Sequence, residues 1–249
     1  MGYAIIAFVR TVDASEMTLI NTSNRFIYVH IPKTAGTSVK RYLGQLTRYC
    51  DVEIGGDADT EPLEAYYWKR FRLRKHSAAR EILHAVGQDR YAGYYKFTFV
   101  RNPFARTLSI YRFLKYDFRK WRDAAVMDRF SGLVDFVTSA FFEESGPDRI
   151  LIPQARWLTD LQDKVLVDFV GRAETLEVDM GSICRTLLLP RLPNPIGNRN
   201  VSTTGPRNLA EELSSGAVVD AIRKRYAMDF DMFGYPRSPE NDASAVVAS

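Results

Sequence analysis

Cysteine, histidine and long apolar runs are all scarce in this sequence of 249 residues. Its two cysteines, Cys50 and Cys184, are too few for a disulfide framework, and their spacing does not match a metal site. We therefore expect two buried free thiols and no bound metal. The apolar stretch at residues 4–9 is too short to span a membrane, and it does not have the layout of a signal peptide.

The overall composition is that of an ordinary globular protein. Hydrophobic residues make up 46% of the chain and charged residues 26%, which is enough apolar material for one sizeable core. This length is common for a single α/β domain. The net charge of +4 favours anionic ligands. We find no motif typical of DNA or RNA binding, so the sequence does not predict a nucleic-acid partner.

The most informative stretch is residues 26–43, which read FIYVHIPKTAGTSVKRYL. Its first six residues are almost continuously apolar, as in a strand that is covered on both faces. Pro32 ends this strand, Gly36 allows a tight turn, and Thr37 and Ser38 suit the start of a helix. A helix N-terminus presents free N–H groups and the positive end of the helix dipole. The stretch therefore predicts a strand, an anion-binding loop and a helix.

This loop differs from the loop that binds nucleoside triphosphates, in which a lysine directly follows the second glycine. Here Lys33 lies three positions before Gly36, and no glycine stands where the first one is needed. The order PKTAGTS instead resembles the 5'-phosphosulfate loop of sulfotransferases that use 3'-phosphoadenosine 5'-phosphosulfate (PAPS). The resemblance is greatest to the carbohydrate type, related to heparan sulfate 2-O-sulfotransferase and its bacterial relatives.

A second motif extends this resemblance. The family pattern has another strand that ends in arginine, with a serine eight positions later on the following helix. Here residues 95–100 (YKFTFV) form the predicted strand, Arg101 follows it, and Ser109 stands at the required place. Asn102 and Pro103 suit an N-cap and a first helical residue. Other family-like words carry the resemblance over residues 25–235: KHSAAREIL, VDFVGRAETLE, NRNVS and DFDMFGY.

The resemblance implies an α/β protein with the P-loop-like sulfotransferase fold, in which helices flank a central parallel β-sheet. We expect the domain to comprise residues 25–236, preceded by an edge strand or arm at residues 1–24 and followed by a disordered tail at residues 237–249. The patterning predicts strands at 26–31, 95–100 and 165–170, and helices at 77–86, 130–142, 154–161, 176–189 and 208–227.

The resemblance also implies PAPS as sulfuryl donor and 3'-phosphoadenosine 5'-phosphate (PAP) as product. No metal is expected to be required, because a sulfuryl group carries less charge than a phosphoryl group. Lys33 is the expected catalytic cation, and Arg101 and Ser109 are expected to hold the 3'-phosphate. The expected donor-binding residues are Lys33, Thr34, Ala35, Gly36, Thr37, Ser38, Arg101 and Ser109.

A sulfuryl transfer to a hydroxyl also needs a base, and the chain has three histidines. His76 lies in KHSAARE, which resembles the family segment that carries a histidine base, so we expect it to be catalytic. His30 lies in the first predicted strand and is expected to pack in the core. His84 is expected to lie at the surface or to be half-buried. Without the resemblance, His76 would also be expected to lie at the surface or to be half-buried.

Two basic arrays suggest where an acceptor binds. Five of the seven residues at 69–75 are basic, and Arg112, Lys115, Arg119 and Arg122 are spaced to share one helix face. Either array is also explained as an ordinary solvated surface. If they flank the site, the expected acceptor is a carbohydrate or glycolipid, and the excess positive charge favours an anionic one.

Two other classes of function stay open. A nucleotide kinase would require Mg²⁺ and ATP, and a non-catalytic protein would bind the nucleotide without turnover. The lack of an anchor of the kind that animal glycan sulfotransferases carry predicts a cytoplasmic, bacterial protein. The sequence identifies neither the acceptor nor the oligomeric state. It also assigns no roles to Arg172, Glu174, Asn200 and Ser202.

Overall fold

The computed structural model describes residues 18–55, 61–118, 124–190 and 209–239. Its centre is a five-stranded sheet with the order β3-β1-β2-β4-β5. The strands are β1 (Thr18–Asn21), β2 (Phe26–Val29), β3 (Val52–Ile54), β4 (Tyr95–Val100) and β5 (Phe169–Arg172). β2, β4 and β5 are parallel, and β1 pairs antiparallel with both β2 and β3. The predicted α/β architecture with a mainly parallel central sheet is confirmed. β1, however, is not an edge strand, because β3 pairs along its outer side.

Twelve α-helices are described around this sheet. They are α1 (Gly36–Leu43), α2 (Glu61–Phe71), α3 (Ala79–Val86), α4 (Gln88–Ala92), α5 (Pro103–Arg112), α6 (Leu133–Val137), α7 (Ala140–Glu143), α8 (Ala155–Leu158), α9 (Leu176–Thr186), α10 (Leu209–Glu212), α11 (Gly216–Arg225) and α12 (Ala227–Phe233). Within the described ranges, no helix is long and apolar enough to cross a membrane.

Both faces of the sheet are buried, which explains why β2 reads as a continuous apolar run. Phe26 and Tyr28 belong to a core cluster with residues of α1 and α9. Ile27 and Val29, which alternate with them, belong to the larger cluster with residues of α3, α5, α6 and α11. All four of these β2 side chains are fully buried. Strand alternation thus fixes which face each side chain supplies.

Several predicted elements have different bounds. The single helix predicted at 130–142 is broken into α6 and α7, because the hydroxyl of Ser139 accepts a hydrogen bond from the Phe142 N–H and caps α7. The helix predicted at 208–227 is divided among α10, α11 and the start of α12. The strand predicted at 165–170 begins later, at Phe169, since Val165 pairs with Thr159 in an isolated bridge.

Cys184 is buried as expected, but Cys50 is exposed, so the expectation of two buried thiols was wrong. Cys50 lies in the turn before β3, with its Sγ 3.2 Å from the Ser23 hydroxyl. Part of the expected tail is also described, and Arg237 pairs with Asp231 at 2.6 Å. Residues 1–17, 191–208 and 240–249 lie outside the described ranges.

Candidate active site

The two sequence motifs meet at one edge of the sheet. β2 and β4 are parallel neighbours, with Val29 beside Thr98 in the ladder. The loop that leaves β2 and Arg101, which follows β4, therefore emerge from the same carboxyl edge, where ligands of open α/β sheets usually bind. The sequence places these motifs about seventy residues apart, and strand pairing brings them together.

The loop after β2 has a strained backbone. Lys33 and Ala35 both have positive φ angles, 67° and 68°, which non-glycine residues rarely adopt. Such a conformation costs on the order of 1–3 kcal/mol per residue and is most often retained at functional sites. Between them, Thr34 is fully buried, and its hydroxyl donates a 2.9 Å hydrogen bond to the Ile31 carbonyl. The loop is therefore held in one shape from within.

Helix α1 begins directly after this loop, at Gly36. The Ala35 carbonyl accepts from the N–H groups of Ser38 and Val39, at 3.0 and 3.2 Å. No side chain caps this N-terminus, and its first turn contains no acidic residue. The first N–H groups of a helix have no partner inside it. The geometry is therefore that of the anion-binding helix start predicted from the sequence.

Gly36 contacts the imidazole of His30. A Cβ atom at position 36 would lie 1.8 Å from Nε2 of His30 and 2.6 Å from two of its ring carbons. Real Cβ atoms essentially never approach that closely, so only glycine fits beside this ring. His30 is fully buried, as expected for a core residue, but it also lies directly against the loop. The sequence analysis did not predict that contact.

His76 lies next to His30. The two ring centroids are 4.5 Å apart, and Nδ1 of His76 is 3.4 Å from the His30 carbonyl oxygen. His76 is only 4% exposed, and its ring meets the edge of Trp157 at 6.1 Å. It lies shortly before α3, and its own carbonyl accepts from Arg149. The structure therefore brings the predicted base close to the loop.

The side chain of Gln154 holds the backbone of Arg101 in place. The Arg101 N–H donates to Oε1 of Gln154, and Nε2 of Gln154 donates back to the Arg101 carbonyl, both at 2.8 Å. Burial lowers the pKa of the Arg101 guanidinium, and the charge of Glu174 partly opposes this effect. Within the described ranges, Arg101 makes no ion pair. The Glu174 charge therefore acts on Arg101 without a direct salt bridge.

Helix α5 starts as the sequence predicts. The side chain of Asn102 accepts hydrogen bonds from the N–H groups of Phe104 and Ala105, and Pro103 is the first helical residue. Ser109 is half-buried on this helix, between one and two turns from its start. Just beyond α5, the ring of Phe113 lies 4.2 Å from Nζ of Lys33. That contact joins the predicted catalytic lysine to the end of the second motif.

Arg106, which the sequence analysis did not single out, links the helix of the second motif to the loop of the first. This arginine is fully buried on α5, and its Nε donates to the Pro32 carbonyl at 3.1 Å. Its other nitrogens donate to the carbonyls of Ile152 at 3.2 Å and Ile150 at 2.8 Å. Burial lowers the pKa of this guanidinium, against the opposing effects of Tyr226 and Asp229. An arginine among apolar residues on a buried helix was the available sequence signal.

The two described members of the second basic array, Arg112 and Lys115, do not form an open face. Helix α5 ends at Arg112, and residues 113–117 form one π-type turn. Arg112 is buried, and its charge is close enough to lower the pKa of Arg101. Lys115 donates to the carbonyls of Met127 and Phe130, so it fastens a neighbouring segment. The other members, Arg119 and Arg122, lie outside the described residues.

The first basic array is a real surface feature. Arg70, Arg72 and Arg74 are exposed at and beyond the end of α2. The guanidinium groups of Arg72 and Arg74 lie 5.2 and 3.7 Å from the ring centroid of Trp68. Such stacking orders long side chains while leaving their charge at the surface. Because His76 follows this array closely in the chain, the array can flank the site.

Glu174 braces the second motif. Its two carboxylate oxygens accept from the Asn102 N–H at 2.8 Å and from the Tyr235 hydroxyl at 2.9 Å. Arg172 donates to the Phe233 carbonyl and lies 4.7 Å from the Tyr235 ring centroid. These contacts give both residues structural roles that the sequence left open. Asn200 and Ser202 lie outside the described residues.

In the described part of the chain, no group of three or more His, Cys, Asp or Glu side chains could hold a metal ion.

A cavity of about 270 Å³ lies beside the second motif. Val100, Val170 and Arg172 are among the residues that line it.

Comparison with known proteins agrees with the motifs. The chain is 26% identical to human carbohydrate sulfotransferase 14 over 88% of its own length and 60% of that protein. It is 24% identical to carbohydrate sulfotransferase 12 of Xenopus laevis, with the same two coverages. The chain thus spans about 60% of the length of these curated relatives. No solved structure matches it. The model of the sulfotransferase family matches residues 16–236, and the chain belongs to that family.

Proposed function

We propose that this protein transfers a sulfuryl group from PAPS to a hydroxyl of a carbohydrate or glycan-like acceptor. The observation that carries this proposal is the meeting of the two motifs at the carboxyl edge of β2 and β4. Arg106 ties them by its hydrogen bond to Pro32. Membership of the sulfotransferase family supports the reaction class, and the relatives named as carbohydrate sulfotransferases support the acceptor class.

The residues of the loop fit the phosphosulfate end of PAPS. The loop offers a lysine, two hydroxyl side chains (Thr37 and Ser38) and a helix N-terminus without acidic residues in its first turn. This is a set of donors and positive charge, as an anion requires. A side chain at position 36 would collide with His30, so glycine lets this buried ring pack directly against the loop backbone.

When bound, PAPS supplies the sulfuryl group and leaves as PAP. Lys33 and the N–H groups at the start of α1 then stabilise the negative charge that grows on the departing 5'-phosphate. Arg101 and Ser109 bind the 3'-phosphate, which distinguishes PAPS from ordinary adenine nucleotides. Arg112 adds positive charge near Arg101. The Arg101 charge acts without an acidic partner in direct contact within the described ranges.

His76 takes the proton from the acceptor hydroxyl in this proposal. A carbonyl oxygen only accepts hydrogen bonds, so the 3.4 Å contact with the His30 carbonyl supports the tautomer of His76 that has its proton on Nδ1. This tautomer makes Nε2 the nitrogen that receives a proton. Its shielded position limits competition from water, because the residue is almost completely buried.

The experiment that tests the function is calorimetric titration with PAP, AMP and ATP, each with and without Mg²⁺. We expect PAP to bind without metal and much more tightly than AMP. A requirement for ATP and Mg²⁺ would instead indicate a nucleotide kinase. Transfer of label from [³⁵S]PAPS to a panel of neutral and anionic glycans then tests catalysis. PAP binding without transfer to any acceptor would favour a non-catalytic binding protein.

A further inference from the structure

His30 lies between the anion-binding loop and the predicted base. Its side chain emerges just after β2, where its ring stacks on Tyr28 with centroids 5.7 Å apart and planes 25° apart. On one side the ring contacts Gly36, the first residue of α1. On another side it contacts the ring of His76 at 4.5 Å. One buried imidazole thus contacts both parts of the site at once.

The contact between His30 and Gly36 leaves no room for a side chain at position 36. With a Cβ at position 36 only 1.8 Å from Nε2 of His30, any side chain there would displace either the ring or the start of α1. Interiors are close-packed, so neither can move without disturbing its neighbours. The loop backbone at Gly36 therefore limits where the imidazole can lie.

The contact with His76 is also constrained on its far side. The carbonyl of His76 accepts from Arg149 at 2.8 Å, and the same guanidinium pairs with Glu81 at 2.8 Å. Glu81 in turn accepts from the Ala78 N–H and fixes the start of α3. His76 is therefore held in place by α3 from one side and by the ring and carbonyl of His30 from the other.

We propose that His30 is a positioning residue for sulfuryl transfer, whose imidazole sets the separation between the base His76 and the phosphosulfate loop at Gly36. This inference rests on the proposed function. It differs from a purely structural role, which would support the fold but would not affect turnover once the protein is folded. A displacement of about 1 Å between a base and a reacting group can lower the rate by about 100-fold, so a spacer at this point affects catalysis directly.

The first test is the variant His30→Ala, assayed with saturating PAPS and with acceptor varied. We expect kcat to fall about tenfold or more while the Kd for PAP stays within about threefold, because the donor contacts remain and only the base is displaced. His84→Ala is the matched control, since His84 is exposed on α3. If His30→Ala unfolds, His30→Gln retains a polar planar group and is expected to keep the fold with an intermediate kcat.

The second test is a double-mutant cycle on the Kd for PAP. Gly36→Ala alone should weaken PAP binding about tenfold, because the added methyl collides with His30. Adding His30→Ala vacates that space, so the double variant should bind PAP within about threefold of the wild type, a strongly non-additive result. Additive losses would show that the His30 ring is not in tight contact with the loop at Gly36 and would overturn the inference.

A normal kcat in a folded His30→Ala or His30→Gln variant would also overturn it. That outcome is distinguishable from failure of the proposed function, because the wild type would still bind PAP and transfer the sulfuryl group. A wild type that binds no PAP would overturn both proposals together.

Discussion

Arg106 donates a hydrogen bond from its Nε to the carbonyl oxygen of Pro32 over 3.1 Å, and this bond ties the helix of the second motif to the loop of the first. The same guanidinium also satisfies the carbonyls of Ile150 and Ile152. Arg106 is fully buried, and a buried carbonyl without a hydrogen-bond partner is costly. The geometry of the site therefore depends on a residue that is itself buried beneath it.

Replacement of Arg106 should strongly destabilise the fold. We expect Arg106→Ala to lower the free energy of unfolding by about 3–5 kcal/mol, because three buried carbonyls would lose a hydrogen-bond donor at about 1–3 kcal/mol each. Arg156→Ala is the control, because Arg156 forms an exposed pair with Asp163 and should cost about 1 kcal/mol or less. Urea unfolding of both variants gives the comparison. Equal losses would mean that the buried hydrogen bonds do not hold the loop.

Arg101→Ala should remove the discrimination between PAP and AMP. We expect the preference for PAP to fall by about 1.5–3 kcal/mol, the usual size of a hydrogen bond to a charged group. Gln154 holds the Arg101 backbone on both sides, so the turn should survive the substitution. Calorimetry with both nucleotides measures the effect, and Arg90→Ala serves as an exposed control. The assignment is wrong if both affinities fall equally.

Lys33→Ala should lower turnover about 100-fold or more while leaving the fold intact, because the lysine chiefly stabilises charge that develops in the transition state. Alanine is chosen over glycine because it keeps the same strain at the positive φ of position 33. Lys164→Ala, at an exposed site, is the control. Unchanged kcat with weaker PAP binding alone would contradict the proposed role.

His76→Ala should abolish most transfer to a hydroxyl acceptor, while the Kd for PAP stays within a few fold, because only the proton acceptor is lost. Measurement of kcat with saturating PAPS and calorimetry with PAP compare the two quantities in the variant and the wild type. Near-normal turnover in a folded His76→Ala would place the base elsewhere.

The acceptor prediction now depends on the first basic array alone. Attraction of an anionic glycan by Arg70, Arg72 and Arg74 is screened over roughly 8–10 Å at physiological salt, so acceptor KM should rise with added salt. Replacing all three with alanine should remove much of this dependence.

A matched control variant has alanine in place of three other exposed cations, Arg90, Lys164 and Arg185. It loses the same amount of positive charge from other parts of the surface. The measurement is acceptor KM at several salt concentrations with PAPS saturating. A flat response in the wild type would favour a neutral acceptor.

The sequence by itself determined the local elements of this site. β4 has the predicted bounds, and Asn102 and Pro103 start α5 as expected. The start of α1 at Gly36, directly after the loop, also follows from neighbouring residues. These features depend on backbone preferences and capping bonds within a few residues, which a sequence displays directly.

Only the tertiary structure decided how His30, Arg106 and Lys115 are used. His30 looked like a core residue, yet strand pairing and the path to α3 place its ring between Gly36 and His76. Lys115 looked like part of a binding face, yet it binds two backbone carbonyls. The partners of each lie on other elements, and the sequence around a residue does not show which distant carbonyl or ring will lie beside it once the strands have paired.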